Sequence, residues 1–261
     1  MSIERITGDK LKNIGAFFDG WEETMIWSCL QGFMGSAWAD RKDSPTSAQI
    51  VVADFCFFSG TPNEELVRNR PQEHHSDFVI MVPQDEAWGQ LIEKVYQTSA
   101  RKVTRYAIKK EPEVFDVDQL KILAEGIGDE FELKLIDKAI YDQVMDHQWS
   151  RDLCAHYADY QKYQEMGLGV AVLHKGEVVA GASSYTVYQG GIEIEIDTRE
   201  DFRRKGLATA CGAGLILECL KRGLYPSWDA HNRWSVALAE KLGYHFDKEY
   251  TAYEITSFGQ I

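Results

Sequence analysis

The chain has 261 residues, 44% hydrophobic and 12% aromatic, enough for one large domain or two modest ones with real cores. Its 41 acidic and 28 basic residues give a formal charge of −13, a field that repels polyanions and argues against nucleic acid and anionic membrane as partners. Five cysteines with no CxxC spacing suggest neither a disulfide framework nor a zinc site, and with no apolar leader or spanning segment the chain reads as a soluble cytoplasmic protein.

In chain order, the apolar runs at residues 50–58 (IVVADFCFF) and 77–83 (DFVIMVP) read as strands buried on both faces. Residues 84–97 read as a helix, because Trp88, Leu91, Ile92, Val95 and Tyr96 recur at the spacing of one helix face. A strand follows at 101–110, and the glycines of AEGIGDE (124–130) mark a domain boundary. The second half opens with a strand at FELKLID and continues through helical segments near 138–147 and 152–165. Two strands follow, joined at the tight turn KGE. After a second turn, QGG, comes GGIEIEIDTREDFRRKGLATACGAG (190–214), in which an acidic strand runs into a cationic, glycine-containing turn. A helix from about Lys205 to Gly223, a short strand at YPSWD, a helix in HNRWSVALAEKLG and a final strand or pair complete the order.

RRKGLA at a strand-to-helix junction makes an anion site. The first helical turn has unpaired N–H groups and a positive dipole end, and Gly206 lets phosphates approach the backbone. Two glycines inside the helix, Gly212 and Gly214, each cost about 1 kcal/mol against alanine and call for close packing against a strand or a cofactor. Neither GxxxxGK[ST] nor GxGxxG is present.

The turn matches the Arg/Gln-x-x-Gly-x-Gly/Ala signature of the GNAT superfamily of acyl-CoA-dependent N-acyltransferases. The resemblance extends through TREDFRRKGLATACGAGLILECLKRGLYPSWDAHNRWSVALAEKLGYHF and, by element order, over 130–261. In length and in WDAHN…S…LAEKLGY the chain is similar to the bacterial two-part group that includes the zwittermicin A resistance acetyltransferase. The resemblance implies an α/β (α+β) fold: residues 125–261 form a GNAT-like mixed, mostly antiparallel sheet with helices on both faces. A smaller α/β N-terminal domain, residues 1–124, precedes it and is open to being a degenerate GNAT-like half. The resemblance also implies acetyl-CoA as cosubstrate without a metal. Arg203, Arg204, Lys205, Gly206, Leu207, Ala208 and Thr209 would form the pyrophosphate loop. Ile196 and Thr198 would offer backbone groups to the pantetheine arm, with Asn232 and Ser235 beside it.

Strand alternation puts Glu193, Glu195 and Asp197 on one face and Ile192, Ile194 and Ile196 on the other. Family members often place a base on this strand, which favours Glu193 or Glu195; the same face equally suits binding of a cationic substrate. The tyrosine that in many members protonates the leaving thiolate is replaced by Ala239, leaving Ser235, Tyr244 or water. The expectation is acetyl transfer to a primary amine of a small cationic molecule, with a CoA-binding sensor that lacks turnover as the alternative. Among remaining residues, His74 and His75 lack metal-ligand spacing. Tyr157, Tyr160 and Tyr163 read as a core stripe ahead of a substrate cage, Trp228 and Trp234 as packing residues, and Cys211 and Cys219 as buried hydrophobes.

Overall fold

The computed structural model describes residues 3–70 and 78–256, so His74 and His75 lie outside the described residues. The chain runs β1 (Glu4–Ile6), α1 (Lys12–Gly15), α2 (Thr24–Leu30), β2 (Ser36–Ala39), β3 (Ser47–Val52), β4 (Phe55–Gly60), α3 (Glu64–Arg68), β5 (Phe78–Pro83), α4 (Glu86–Tyr96) and β6 (Ala100–Ile108). It continues α5 (Val117–Glu125), β7 (Phe131–Leu135), α6 (Lys138–Asp146), α7 (Tyr160–Met166), β8 (Gly169–His174), β9 (Glu177–Tyr188), β10 (Gly191–Thr198) and α8 (Leu207–Lys221). The last elements are β11 (Tyr225–Ser227), β12 (Asp229–Ala230), α9 (Arg233–Lys241) and β13 (Phe246–Thr256). Residues up to Arg105 and those from Glu249 onward form one compact unit, and Tyr106–Lys248 form the other.

In the first unit the sheet order is β1-β2-β3-β4-β5-β13-β6. The run at 50–58 is two strands rather than one. Val52 pairs with Phe55 across a two-residue turn in which Ala53 takes φ 52°, a conformation its sequence gives no sign of. Both strands and β5 are buried on both faces, as their unbroken hydrophobicity requires. Asp85 caps α4 by accepting from Trp88 N–H, and the helix buries Trp88, Ile92, Val95 and Tyr96. Trp88 stacks on Phe58 at 5.2 Å and donates its indole N–H to the Gly60 carbonyl. Tyr253 and Ile255 of β13 complete this core.

In the second unit the sheet order is β11-β10-β9-β8-β7, antiparallel except for the parallel pair β10–β11. One face carries α8, against which α5 packs. The two helical glycines answer to this packing. A Cβ at Gly212 would lie 2.7 Å from Leu242 and 3.2 Å from Ile196, and one at Gly214 would lie 2.8 Å from Leu133, so α8 is pressed onto side chains of β10, β7 and the end of α9. The opposite face carries α6, α7 and a 3-10 turn at Arg151–Leu153. The helix expected over 152–165 is thus a turn and a separate α7, which starts where Asp159 caps it by accepting from Lys162 N–H. Tyr157 and Tyr163 are buried, with hydroxyls bonded to Ser184 and Ser183, while Tyr160 packs on Tyr141; the tyrosine stripe is core.

Candidate active site

β10 is covered unequally along its length. β9 flanks it throughout, but β11 pairs only with Gly191, Ile192 and Glu193 and ends at Ser227. From Ile194 to Thr198 the other edge of β10 has no strand against it among the described residues. Such an edge presents backbone N–H and C=O groups, and an extended amide chain pairs with them as an added strand would.

The acidic side chains differ accordingly. Glu193 is buried at 5% exposure, opposite Thr186 on β9 and Ser227 on β11, whereas Glu195 and Asp197 are half-buried. The strand is therefore not a simple amphipathic one, since its first half is covered on both faces. A register shift in β9 at this level sets Glu193 against Thr186 and Ile194 against Ser184. Asp197 faces Gly181, where a Cβ would lie 2.7 Å from Leu153, so the 151–153 turn lies over this carboxyl. Burial, reinforced by the charge of Asp152 and offset by Arg203, pushes the Asp197 carboxyl up to about 7.

Beyond Thr198 the chain turns through Glu200–Phe202 into the basic loop. Arg203 Nε donates to the Thr198 carbonyl at 3.3 Å. Arg199 and Lys205 each hold a cationic group 4.5 Å from the Phe202 ring centre, and Arg199 also pairs with Asp201. Arg204 and Gly206 adopt φ of 64° and 82°. The first bond of α8 runs from Ala210 N–H to the Gly206 carbonyl, so the N–H groups of Leu207, Ala208 and Thr209 lack an acceptor within the helix. Arg203, Arg204, Lys205 and Gly206 are exposed while Leu207 and Thr209 are buried, which anchors the helix and leaves the loop facing solvent. At its rim Thr198 Oγ1 is buried with no hydrogen-bond partner among the described residues. These groups fit a pyrophosphate on a pantetheine arm: cationic loop, unpaired helix N–H groups, free strand edge and a hydroxyl lacking a partner.

On the following helix, Asn232 caps α9 by accepting from Ser235 N–H at 2.9 Å, and its amide meets His231 at 2.7 Å. Ser235 Oγ accepts from Trp228 Nε1 at 3.1 Å, which leaves its own proton to donate elsewhere. Tyr244 is placed differently. Its hydroxyl is buried and donates to the Pro226 carbonyl at 2.6 Å, and burial raises its pKa well above the ordinary value, which commits its proton to the backbone. Ala239 is fully buried. Trp228 packs against Tyr244, but Trp234 is 85% exposed and is not a packing residue; its neighbour Arg233, also exposed, lies over the Tyr106 and Phe246 rings. Cys211 and Cys219 are fully buried. Among the described residues no group of three or more His, Cys, Asp or Glu side chains is set to hold a metal ion, and no helix is long and apolar enough to cross a membrane.

The family model for GNAT acetyltransferase matches residues 15–253. The chain belongs to the GNAT acetyltransferase family. It is an acyl-CoA-dependent N-acyltransferase, an activity the family carries out on small-molecule acceptors with acetyl-CoA as the general donor. It is 26% identical over 266 residues to the uncharacterized N-acetyltransferase YdfB of Bacillus subtilis (strain 168), covering 96% of this chain and 98% of that protein. It is similar to the crystal structure of a GCN5-related N-acetyltransferase-like protein from Streptococcus suis 89/1591, with 47% identity, a TM-score of 0.90, and 95% and 98% of the two chains covered. A tandem GNAT protein from the clavulanic acid biosynthesis pathway shares the fold over 100% of both chains at 11% identity and a TM-score of 0.54.

The sequence reading missed three features of the site: the free edge of β10, the raised Asp197 carboxyl and the Trp228–Ser235 bond. The brevity of YPS (225–227) beside an eight-residue β10 is the signal for the first. The other two depend on where the 151–153 turn and the 226–228 backbone lie, which no local pattern encodes.

Proposed function

We propose that the chain transfers an acetyl group from acetyl-CoA to a primary amine of a small cationic molecule, by direct attack of the amine on the thioester. The observation that carries this reading is the acid-faced β10, open along one edge, running directly into a cationic loop with unpaired helix N–H groups. The N–H groups of Leu207, Ala208 and Thr209, with Arg203, Arg204 and Lys205, hold the pyrophosphate. The edge at Ile196 and Thr198 takes the pantetheine amides, flanked by Asn232 and Ser235. Holding the thioester along β10 fixes the carbonyl against the acceptor, and positioning of this kind supplies much of the rate. A carboxylate of the acidic face takes the amine's proton, and Ser235 returns one to the thiolate.

The same acidic face favours a cationic acceptor, the formal charge of −13 argues against nucleic-acid and membrane partners, and the five unpaired cysteines suit a reducing cytoplasm. We assign the acetyltransferase domain to 125–261 and read 1–124 as a degenerate GNAT-like half. A CoA-binding sensor is the second reading, favoured by the buried Ala239 where many members carry their thiolate-protonating tyrosine. Calorimetric titration with acetyl-CoA, followed by thiol release in a panel of amines, tests both. Binding lost in an Arg204→Glu, Gly206→Asp variant, together with thiol released by a cationic amine, supports transfer. Binding without release from any amine supports the sensor, and absence of binding overturns both.

A further inference from the structure

β7 is the last strand of the second unit's sheet, and among the described residues no strand lies against its outer edge. Its pairing with β8 fixes which backbone groups face that edge. Phe131 lies opposite His174 and Leu135 opposite Val170, and one residue further on Ile136 N–H donates to the Gly169 carbonyl. Bonded pairs in an antiparallel ladder recur at every second residue, so Glu132 and Lys134 turn their N–H and C=O groups to β8, as Ile136 does. Phe131, Leu133 and Leu135 turn theirs outward. The Gly128 carbonyl takes Phe131 N–H, whereas the outward groups of Leu133 and Leu135 have no hydrogen-bond partner among the described residues. The edge lacks two common protections, since no proline and no bulge interrupts Phe131–Leu135, and Leu135 is 46% exposed. Lys134 would guard a strand against foreign edges, but Glu132 pairs with it at 2.8 Å on the same face, and both side chains are exposed.

We propose that β7 is the seam of a two-fold symmetric homodimer, in which two copies of the chain join their five-stranded sheets edge to edge. The strand Phe-Glu-Leu-Lys-Leu is complementary to an antiparallel copy of itself. Centred on Leu133, such a pairing sets Phe131 opposite the partner's Leu135 and Glu132 opposite the partner's Lys134. Leu133 then exchanges its outward N–H and C=O with the partner's Leu133, and Leu135 N–H donates to the carbonyl of the partner's Phe131. Glu132 and the partner's Lys134 form a pair without main-chain bonds between them, the kind in which opposed side chains lie closest. Other alignments fail. A slip of one residue sets outward backbone groups against inward ones, and a slip of two, or a parallel pairing in step, opposes like charges. On the α8 face, where Leu133 meets Gly214, the exposed Leu135 is covered by the partner's Phe131. β8 and β9 stand between β7 and β10, so the open edge of β10 stays free in both copies.

The test is sedimentation velocity of the full chain at about 1 to 100 μM, for wild type, Glu132→Lys, Lys134→Glu and the double swap Glu132→Lys, Lys134→Glu. About 0.15 M salt screens the repulsion between two chains of formal charge −13, and thermal unfolding checks that each variant folds. Wild type is expected to sediment as a dimer at the upper concentrations. Each single variant opposes like charges at both ends of the seam and weakens dimerisation about tenfold or more. An equimolar mixture of the two single variants dimerises again, because an all-acidic strand then meets an all-basic one, and the double swap dimerises as wild type does. A substitution that merely disturbed the strand would not be rescued by mixing. Wild type that stays monomeric at about 100 μM overturns the proposal. So do folded single variants that dimerise as wild type does, and a mixture that stays monomeric.

Discussion

The indole of Trp228 donates its N–H to the hydroxyl of Ser235, which is itself tied to the helix cap at Asn232. The serine oxygen has its acceptor need met by the indole and keeps a proton to give. Ser235→Ala is expected to lower kcat about tenfold, below the usual general-acid effect of roughly 10²–10⁴ because thiolates leave readily, with little change in acetyl-CoA affinity. Stopped-flow thiol release beside calorimetry checks the split.

Gly206 separates conformational from steric need. Its φ of 82° disfavours any side chain, yet nothing lies within 4 Å of the position a Cβ would take. Gly206→Ala is expected to cost about 1–2 kcal/mol of stability from backbone strain and, by placing a methyl where the pyrophosphate approaches the backbone, to weaken acetyl-CoA binding modestly. Gly206→Asp adds a negative charge beside the pyrophosphate and is expected to lose binding by tenfold or more. Comparing unfolding midpoints with titration isotherms distinguishes the two effects.

Asp197 links pH to stability with a definite sign. Its folded pKa, about 7, lies above the ordinary 3.8, so the folded state holds the proton more tightly. Its contribution therefore weakens as pH rises from about 4, and the loss is complete above about 7. Asp197→Asn is expected to melt higher than wild type at pH 8 and to approach it at pH 4. Calorimetric melting at the two pH values tests this.

All five cysteines are free and buried, and burial pushes each thiol up to about 12. Thiolate is then scarce at pH 8, and the folded protein is expected to react negligibly with a disulfide reagent within an assay, whereas the denatured chain reacts at all five positions. Titrating thiols with and without denaturant measures the difference, and the outcome means that thiol released during turnover comes from the cosubstrate.

Much of this architecture is legible in the sequence because it rests on local periodicity. The stripe Trp88, Ile92, Val95, Tyr96 needs only helical spacing to announce a buried face, and Arg203 to Ala208 needs only a strand, a glycine and a helix in sequence. The misses share a cause. The β3–β4 turn uses Ala53 and Asp54, without the glycine or asparagine that normally marks such a turn. Trp234 faces solvent while the cation of its neighbour Arg233 is the group that meets the Tyr106 and Phe246 rings, an order no hydrophobicity scale anticipates. The burial of Glu193 is likewise decided by β11, a strand more than thirty residues later in the chain.

The return of β13 to the first unit has a consequence for how the protein is made. Tyr253 through Thr256 pair with β5, Tyr253 donates its hydroxyl to Glu93, and Ile255 is fully buried. A ribosome delivers these residues only after the whole of Tyr106–Lys248. At roughly 5–20 residues per second, the nascent N-terminal segment waits on the order of ten seconds or more with β5 lacking its partner. The segment made first is thus the last to be completed, and the contiguous second unit is free to fold while β5 still exposes an unpaired strand edge, the stage at which the growing chain depends most on chaperones.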